Sequence, residues 1–464
     1  MNSIHALQIF TPFSLADFPG HCVMRKRALK KARMSGASLR ETGAPAEGVG
    51  RGVQTDEPDA PALANVSSDA CAYPPPSTLS CYVTTIVAVA AAITFSASGA
   101  APTPLYRDYQ EHFGLTPFMI TIIFAAYVAS LLLALLTVGS LSDYVGRRPV
   151  ILAALLVNVL AMIVFMTADS AGSLIVARSV QGFANGVAIT TLAATILDTD
   201  KERAPVLNSV TAFAGLSAGT LGAGLLVTFA PAPEQLVFIV LLALSLAEAV
   251  TLWFMPETAT PQPGALGSLL PHVHVPRIAL ATFAAISPVT VASWSLGGFY
   301  FSLMPAVVRA ATGATLPIIG GLVVATLTVA GGVAVVLLRN LHRERILNVG
   351  IAALTLGVLI TLAGIQFRAA SVMLLGTVVG GVGFGTAFSG TLQSVLAYAE
   401  PHERAGLISA YFVVGYLAFS VPALAAGFVA PIVGLTRTAD CYGVGVILLA
   451  VTTLIVKLRP RPRT

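Results

Sequence analysis

Charge is what this chain has least of. Asp, Glu, Lys and Arg make up only 10% of its 464 residues, 56% are hydrophobic, and the mean hydropathy is +0.84. Soluble domains carry about 25% charged residues, so a water-soluble globule is excluded. Cysteine is nearly as scarce: Cys22, Cys71, Cys81 and Cys441 show neither metal-ligand nor paired redox spacing. They are expected to be unpaired thiols, which excludes a disulfide scaffold, an iron–sulfur centre and a zinc ribbon. His272 and His274 have no further ligands at zinc spacing and are expected to be solvated, so no metal is expected. No Gly-x-x-x-x-Gly-Lys-Ser/Thr loop is present, which argues against an ATP-driven pump. Nor is there a hydrolytic triad pattern, and the expectation is of a protein that is not an enzyme and holds no cofactor. The formal net charge of +5 is dispersed over short connectors, so no nucleic-acid partner is implied.

What the chain does have is long apolar runs. About 20 apolar residues cross 30 Å of hydrocarbon, and by that measure twelve runs qualify, at 79–100, 117–138, 150–168, 172–197, 204–230, 235–255, 278–303, 315–338, 346–366, 371–398, 405–430 and 439–457. Pro288 and Pro422 fall inside the seventh and eleventh, a break that membrane helices tolerate where neighbours satisfy the freed backbone groups. The basic residues sort by side. With the N-terminus in the cytoplasm, that face carries Arg147, Arg148, Lys201, Arg203, Arg277, Arg339, Arg343, Arg345, Arg404, Lys457, Arg459, Arg461 and Arg463, and the other only Arg107, Arg309, Arg368 and Arg437. This asymmetry places both termini on the cytoplasmic side of an inner membrane.

Between the second and third runs lies Gly139-Ser140-Leu141-Ser142-Asp143-Tyr144-Val145-Gly146-Arg147-Arg148-Pro149. Its glycines allow close approach or positive φ, Asp143 is an anion able to sit at a helix N-terminus, and the arginines can pair with carboxylates or lipid phosphates. The pattern Gly-x-x-x-Asp-x-x-Gly-Arg-Arg resembles the signature loop of the major facilitator superfamily of secondary transporters, nearest to its drug- or metabolite-proton antiporter-like members. The resemblance implies an all-α membrane fold of 12 transmembrane helices in two six-helix halves. It also implies a conformational latch of Gly139, Asp143, Gly146, Arg147 and Arg148, with Asp198 pairing one of the arginines and Asp143 capping the eleventh helix near Ala405.

An internal repeat agrees with two halves: Gly182-Phe183 recurs as Gly383-Phe384, and Glu202-Arg203-Ala204 as Glu403-Arg404-Ala405, at one offset. The organisation read from this is a disordered cytoplasmic tail over 1–78, an N-terminal half over 79–255, a cytoplasmic linker over 256–277, a C-terminal half over 278–457 and a short cytoplasmic tail over 458–464. Translation starting at Met24 or Met34 is an open alternative for the first segment. The linker opens with Pro256-Glu257-Thr258, which also resembles the end of the family's sixth helix. The second-half counterpart of the loop, Arg339 to Arg345, has lost the glycines and aspartate and is expected only to orient helices.

Two charges lie well inside predicted helices, Arg178 and Glu248, and intramembrane charge is costly enough to mark function. Arg178 opens Arg178-Ser179-Val180-Gln181-Gly182-Phe183-Ala184-Asn185-Gly186, which resembles the superfamily's fourth-helix motif. Helical spacing places Arg178, Gly182 and Gly186 on one face with Gln181 and Asn185 beside it. Arg178 is expected to line the central cavity and tune proton transfer or bind an anionic substrate group; the alternative is a structural arginine bonded to carbonyls. Glu248 is expected either to carry a proton or to snorkel toward the surface. Gly219-Thr220-Leu221-Gly222-Ala223-Gly224 partly resembles the Gly-Pro-x-x-Gly-Gly element of proton-coupled exporters, with Thr220 in place of the proline. In this family helices one, four, seven and ten line the cavity, which favours Ser96, Ser98, Trp294, Tyr300 and Gln393 as substrate-lining residues; Tyr127, Tyr411 and Tyr416 are further polar candidates. The first helix lacks a carboxylate, so a dedicated lipophilic-cation pump is not favoured. The expected function is alternating-access, proton-coupled efflux of a small amphipathic drug or metabolite by a protein for which a monomer suffices. The alternatives are proton-coupled uptake of a small organic anion and a non-transporting membrane sensor on the same fold.

Overall fold

A computed structural model describes residues 78–458 apart from 272, 314, 315 and 399–402. The tails over 1–77 and 459–464, with Cys22, Cys71, His272 and the basic residues after Leu458, lie outside the described residues. Among the described residues there are fifteen α-helices and no strand. They are α1 (Thr78–Ala100), α2 (Pro102–Phe113), α3 (Pro117–Thr137), α4 (Ser142–Val145), α5 (Arg147–Met166), α6 (Ala171–Thr199), α7 (Ala204–Phe229) and α8 (Pro233–Trp253), followed by α9 (Arg277–Ser302), α10 (Met304–Thr312), α11 (Pro317–Leu338), α12 (Arg343–Gln366), α13 (Ala370–Leu396), α14 (Arg404–Val433) and α15 (Leu435–Leu458). Twelve segments are long and apolar enough to span a bilayer, with α1 and α2 forming one bent segment.

Local chemistry sets the helix ends. Thr116 caps α3 by accepting the Met119 N–H, and Ser170 and Ser173 form a reciprocal capping box on α6. Proline opens α2, α3, α8 and α11, where its missing N–H costs nothing. Pro288 lies inside α9, and there the Val289 N–H donates to Thr453 Oγ1 of α15 at 2.9 Å. A neighbouring helix thus satisfies part of the broken ladder.

Within the first half α6 packs on α3 and α5, and α5 on α8; within the second, α13 packs on α12 and α11, and α9 on α14 and α15. The halves join chiefly through two pairs, α3 with α14 and α7 with α11. The internal repeat equates α3 with α11 and α7 with α14, so each pair maps onto the other, as two related halves require. Side-chain contacts along this seam run from the end opposite the signature loop to past its middle, where Phe213 meets Phe384 at 5.9 Å. Phe118 meets Phe428 with centroids 5.7 Å apart, Phe124 meets Phe419 at 5.1 Å, Thr103 Oγ1 donates to Phe301 O at 3.1 Å, and Ser217 and Thr328 share a 2.7 Å hydrogen bond. At the loop end the linker joins the halves instead, the His274 N–H donating to Gly406 O at 3.2 Å. Among the described residues Cys81 and Cys441 form no disulfide, and the His274 ring is exposed.

Candidate functional site

In the signature loop α4 is a single turn that brings Asp143 back to Arg147. The Arg147 guanidinium pairs with Asp143, donates to Ser142 Oγ at 2.7 Å and reaches Asp198 of α6 at 3.1 Å. Asp143 is thus paired with Arg147 of its own loop. The acceptor that the sequence did not single out is Glu257, at the end of the first half. Its carboxylate accepts the N–H groups of Arg147 at 2.7 Å and Arg148 at 3.1 Å, the first turn of α5, where the helix dipole favours an anion. Gly146 makes room for it: the residue adopts φ 109°, and a Cβ there would lie 2.7 Å from Glu257 Oε2. Arg148 turns its guanidinium over the Trp253 ring at 5.5 Å. Gly139 follows α3, and a Cβ there would be blocked by the Leu135 carbonyl oxygen.

Arg178 is only 1% exposed; its two terminal nitrogens are engaged inside the first half, while Nε is buried without a partner. Nη1 donates to Gly99 O and Gln181 Oε1, both at 2.8 Å, Nη2 donates to Tyr106 Oη at 2.5 Å, and the Tyr106 and Tyr127 rings stack on it at 5.6 and 5.2 Å. Such contacts replace much of the hydration a buried cation loses. Gly182 and Gly186 lie against the α3 backbone at Tyr127 O and Leu131 O, so the glycine face of the motif is a packing seam and not a cavity wall. Asn185 is fully buried with neither amide atom bonded, close to Gly99 and Tyr127.

The serines of α1 point to different neighbours. Ser96 packs against Gly215 of α7, and Ser98 is fully buried, donating to Asn158 Oδ1 and accepting from Gln181. Tyr300 lies in the core of the second half and shares a hydrogen bond with Thr377. Ser98 and Tyr300 are corrections: helical rotation turns each into its own half. Gln393 is exposed and donates to Ser389. Glu248 accepts from Thr94 Oγ1 at 2.6 Å, while its Oε2 is buried without a partner.

Trp294 is the candidate that gathers a site. Five aromatic rings surround it edge-on: Tyr416 at 4.9 Å, Phe388 and Phe419 at 6.0 Å, Phe412 at 6.1 Å and Tyr411 at 6.5 Å. Gly415 of α14 admits the indole, since a Cβ there would lie 2.6 Å from the ring. Tyr411 is buried and tied to Thr391 at 2.8 Å, whereas Trp294 and the other four rings are only partly buried. Tyr127 of the first half packs with Tyr416 and Phe419 around Phe124, Phe301 and Ala423, the layer that closes the seam. The result is an apolar, quadrupole-rich surface beside polar Tyr127, suited to planar rings and amphipathic molecules. Spacing held a signal for the rings not singled out: Phe412 and Phe419 fall at helical intervals from Tyr416, and Phe388 follows Phe384 by four.

Comparison with known proteins agrees with this architecture. The Major Facilitator Superfamily model matches residues 84–423. Multidrug resistance protein MdtL of Klebsiella pneumoniae (strain 342) is 27% identical over 194 residues, 39% of this chain and 49% of that protein. MdtL of Shewanella sp. (strain ANA-3) is 35% identical over 99 residues, 21% of this chain and 25% of that protein. The chain thus spans about half the length, or less, of the curated relatives it matches. Among solved structures, the nucleoside transporter NupG superposes with TM-score 0.62 at 12% identity over 80% of this chain and 99% of that one. The human organic anion transporter MFSD10 (TETRAN) gives 0.59 at 18% identity over 82% and 100%. With a family match across most of its length, twelve segments long and apolar enough to span a membrane and the fold of the solved structures, the chain belongs to the Major Facilitator Superfamily and has its multi-pass membrane architecture.

Proposed function

We propose that the protein is a proton-coupled exporter of small amphipathic compounds bearing an aromatic ring. In this reading it works as a monomer in the inner membrane with both termini cytoplasmic. The observation that carries this reading is the ring of five aromatic side chains around Trp294, partly open and set beside the seam between the halves. Aromatic walls bind by area and quadrupole more than by directed hydrogen bonds, which suits varied drug-like molecules. The relatives named multidrug resistance proteins support export. With the signature loop on the cytoplasmic side, the Phe124, Phe301 and Phe419 layer lies toward the outer side of the seam. Glu248 is the proton carrier in this reading: an intramembrane carboxylate with one oxygen bonded and the other available. The organic-anion uptake reading would need Arg178 to face the substrate, but its guanidinium is taken up by Gly99, Gln181, Tyr106 and Tyr127.

The chain has two tryptophans, and this gives a direct test. Trp253 is 62% exposed at the end of α8. In a Trp253→Phe variant all tryptophan emission comes from Trp294. Adding a transported aromatic compound to the detergent-purified variant is expected to quench and shift that emission with a saturable dependence on concentration. Unchanged emission with a compound that the same variant transports would contradict a site at Trp294.

A further inference from the structure

A line of hydrogen bonds crosses the first half from Arg178 to the helix that carries Glu248. Arg178 Nη1 donates to Gln181 Oε1 at 2.8 Å, Gln181 Nε2 to Ser98 Oγ at 3.0 Å, Ser98 Oγ to Asn158 Oδ1 at 3.0 Å, and Asn158 Nδ2 to Ser245 Oγ at 3.0 Å. Every bond donates in the same direction, away from the cation. Bonds aligned this way polarise one another, so the guanidinium charge is felt along the line. Gln181, Ser98, Asn158 and Ser245 are all fully buried. Low dielectric around them makes each bond stronger and each broken one costlier.

The line ends one helical turn from the carboxylate. Ser245 and Glu248 are three residues apart on α8, hence neighbours on one face, and Ser98 and Thr94 are four apart on α1. Thr94 holds Glu248 Oε1, and Oε2 has no partner. At the other end Arg178 stacks on Tyr127, which packs with the rings around Trp294. Asn158 is the member that joins α5 to both α1 and α8, and its two amide atoms are each used once. A buried amide in the middle of an apolar spanning helix is costly unless satisfied. Here satisfaction is achieved only by bridging the two helices.

We propose that Asn158 is a positioning residue that couples the charge state of Glu248 to Arg178, and through Tyr127 to the aromatic site. This rests on the proton-coupled reading above. With Glu248 ionised, the polarised line and the Ser245 hydroxyl stabilise the carboxylate. When Glu248 takes up a proton that stabilisation is released, and the arrangement of Gln181, Arg178 and Tyr127 shifts with it. Physical proximity alone does not establish coupling, so the test reads coupling itself.

The experiment uses the full chain in proteoliposomes, with a fluorescent amphipathic dye as substrate. It measures two quantities, dye counterflow without a pH gradient and protons moved per dye. Asn158→Leu, close in volume but unable to bridge, is expected to leave counterflow within about twofold and to lower protons per dye at least tenfold. Ser245→Ala removes one hydroxyl from the end of the line and is expected to shift the ratio the same way. It decides the matter alone if Asn158→Leu does not insert. The double variant is expected to be no worse than Asn158→Leu, since members of one network do not add. Wild-type proton stoichiometry in both variants would overturn the proposal while leaving proton coupling in place, as would an equal loss of counterflow and coupled transport. Dye transport by the wild type without proton movement would instead overturn the proton-coupled reading and this proposal with it.

Discussion

Replacing Trp294 by alanine is expected to raise KM for an aromatic substrate by about ten- to a hundredfold. The indole is the hub of the site, with Tyr411, Phe412, Tyr416, Phe388 and Phe419 all within ring-contact distance of it. Each aromatic pair is worth roughly 0.5–1.5 kcal/mol beyond its buried area, so a substrate that loses the indole, the apolar area buried on it and part of a second contact forfeits about 1.5–3 kcal/mol. At about 1.4 kcal/mol per factor of ten, that gives the stated range. Trp294→Phe keeps a ring over Gly415 and is expected to stay within roughly fivefold of wild type. Initial rates of dye transport against concentration, in proteoliposomes, measure both. A KM unchanged by Trp294→Ala would remove the aromatic cluster from the binding site.

Arg178→Lys is expected to lose nearly as much transport as Arg178→Leu, at least tenfold in each case, although lysine keeps the charge. The reason is geometry. One guanidinium fork serves Gly99 O, Gln181 Oε1 and Tyr106 Oη, with two tyrosine rings within cation–π distance. An ammonium is a compact, strongly hydrated point charge without the planar fork. Hydrogen bonds to charged groups contribute about 1.5–3 kcal/mol each, so losing even one corresponds to tenfold or more in the population of the transport-competent state. Arg178→Leu removes the cost of inserting a charge, about 2.5–3.5 kcal/mol on insertion scales. It is therefore expected to reach the membrane at wild-type amounts while failing to transport. Transport assays alongside membrane quantitation check this, and full activity of Arg178→Lys would show that charge alone is needed.

Much of the fold could be read directly from the residues, because length and hydropathy decide what spans a bilayer. The twelve runs correspond to the twelve spanning segments, and the Gly182-Phe183 and Glu202-Arg203-Ala204 repeat marks the correspondence between halves. Two elements escaped that reading. α2 and α10 are short amphipathic helices opened by prolines; α2 carries Arg107, Asp108 and Glu111, which end an apolar run without ending the helix. Nor was the rotation of each helix legible. The spanning helices are apolar almost all round, so no stripe records which face meets the seam. Ser96 and Ser98 looked equivalent in the sequence, yet one lies on Gly215 and the other bonds Asn158. Ser98, Asn158 and Ser245 stand 60 and 87 residues apart along the chain, so the line they form exists only in the folded protein. Glu257 was visible only as part of a tripeptide; its role depends on the positive φ of Gly146, which brings the start of α5 onto its carboxylate.

The central claim is that substrate leaves as protons enter. Its most direct test is substrate-dependent proton movement in sealed proteoliposomes with an internal pH dye, all copies in one orientation, comparing wild type with Glu248→Gln. The account expects protons to move opposite to an aromatic substrate in the wild type, and substrate counterflow without proton movement in Glu248→Gln. Proton movement in the same direction as the substrate, or wild-type antiport by Glu248→Gln, would contradict it.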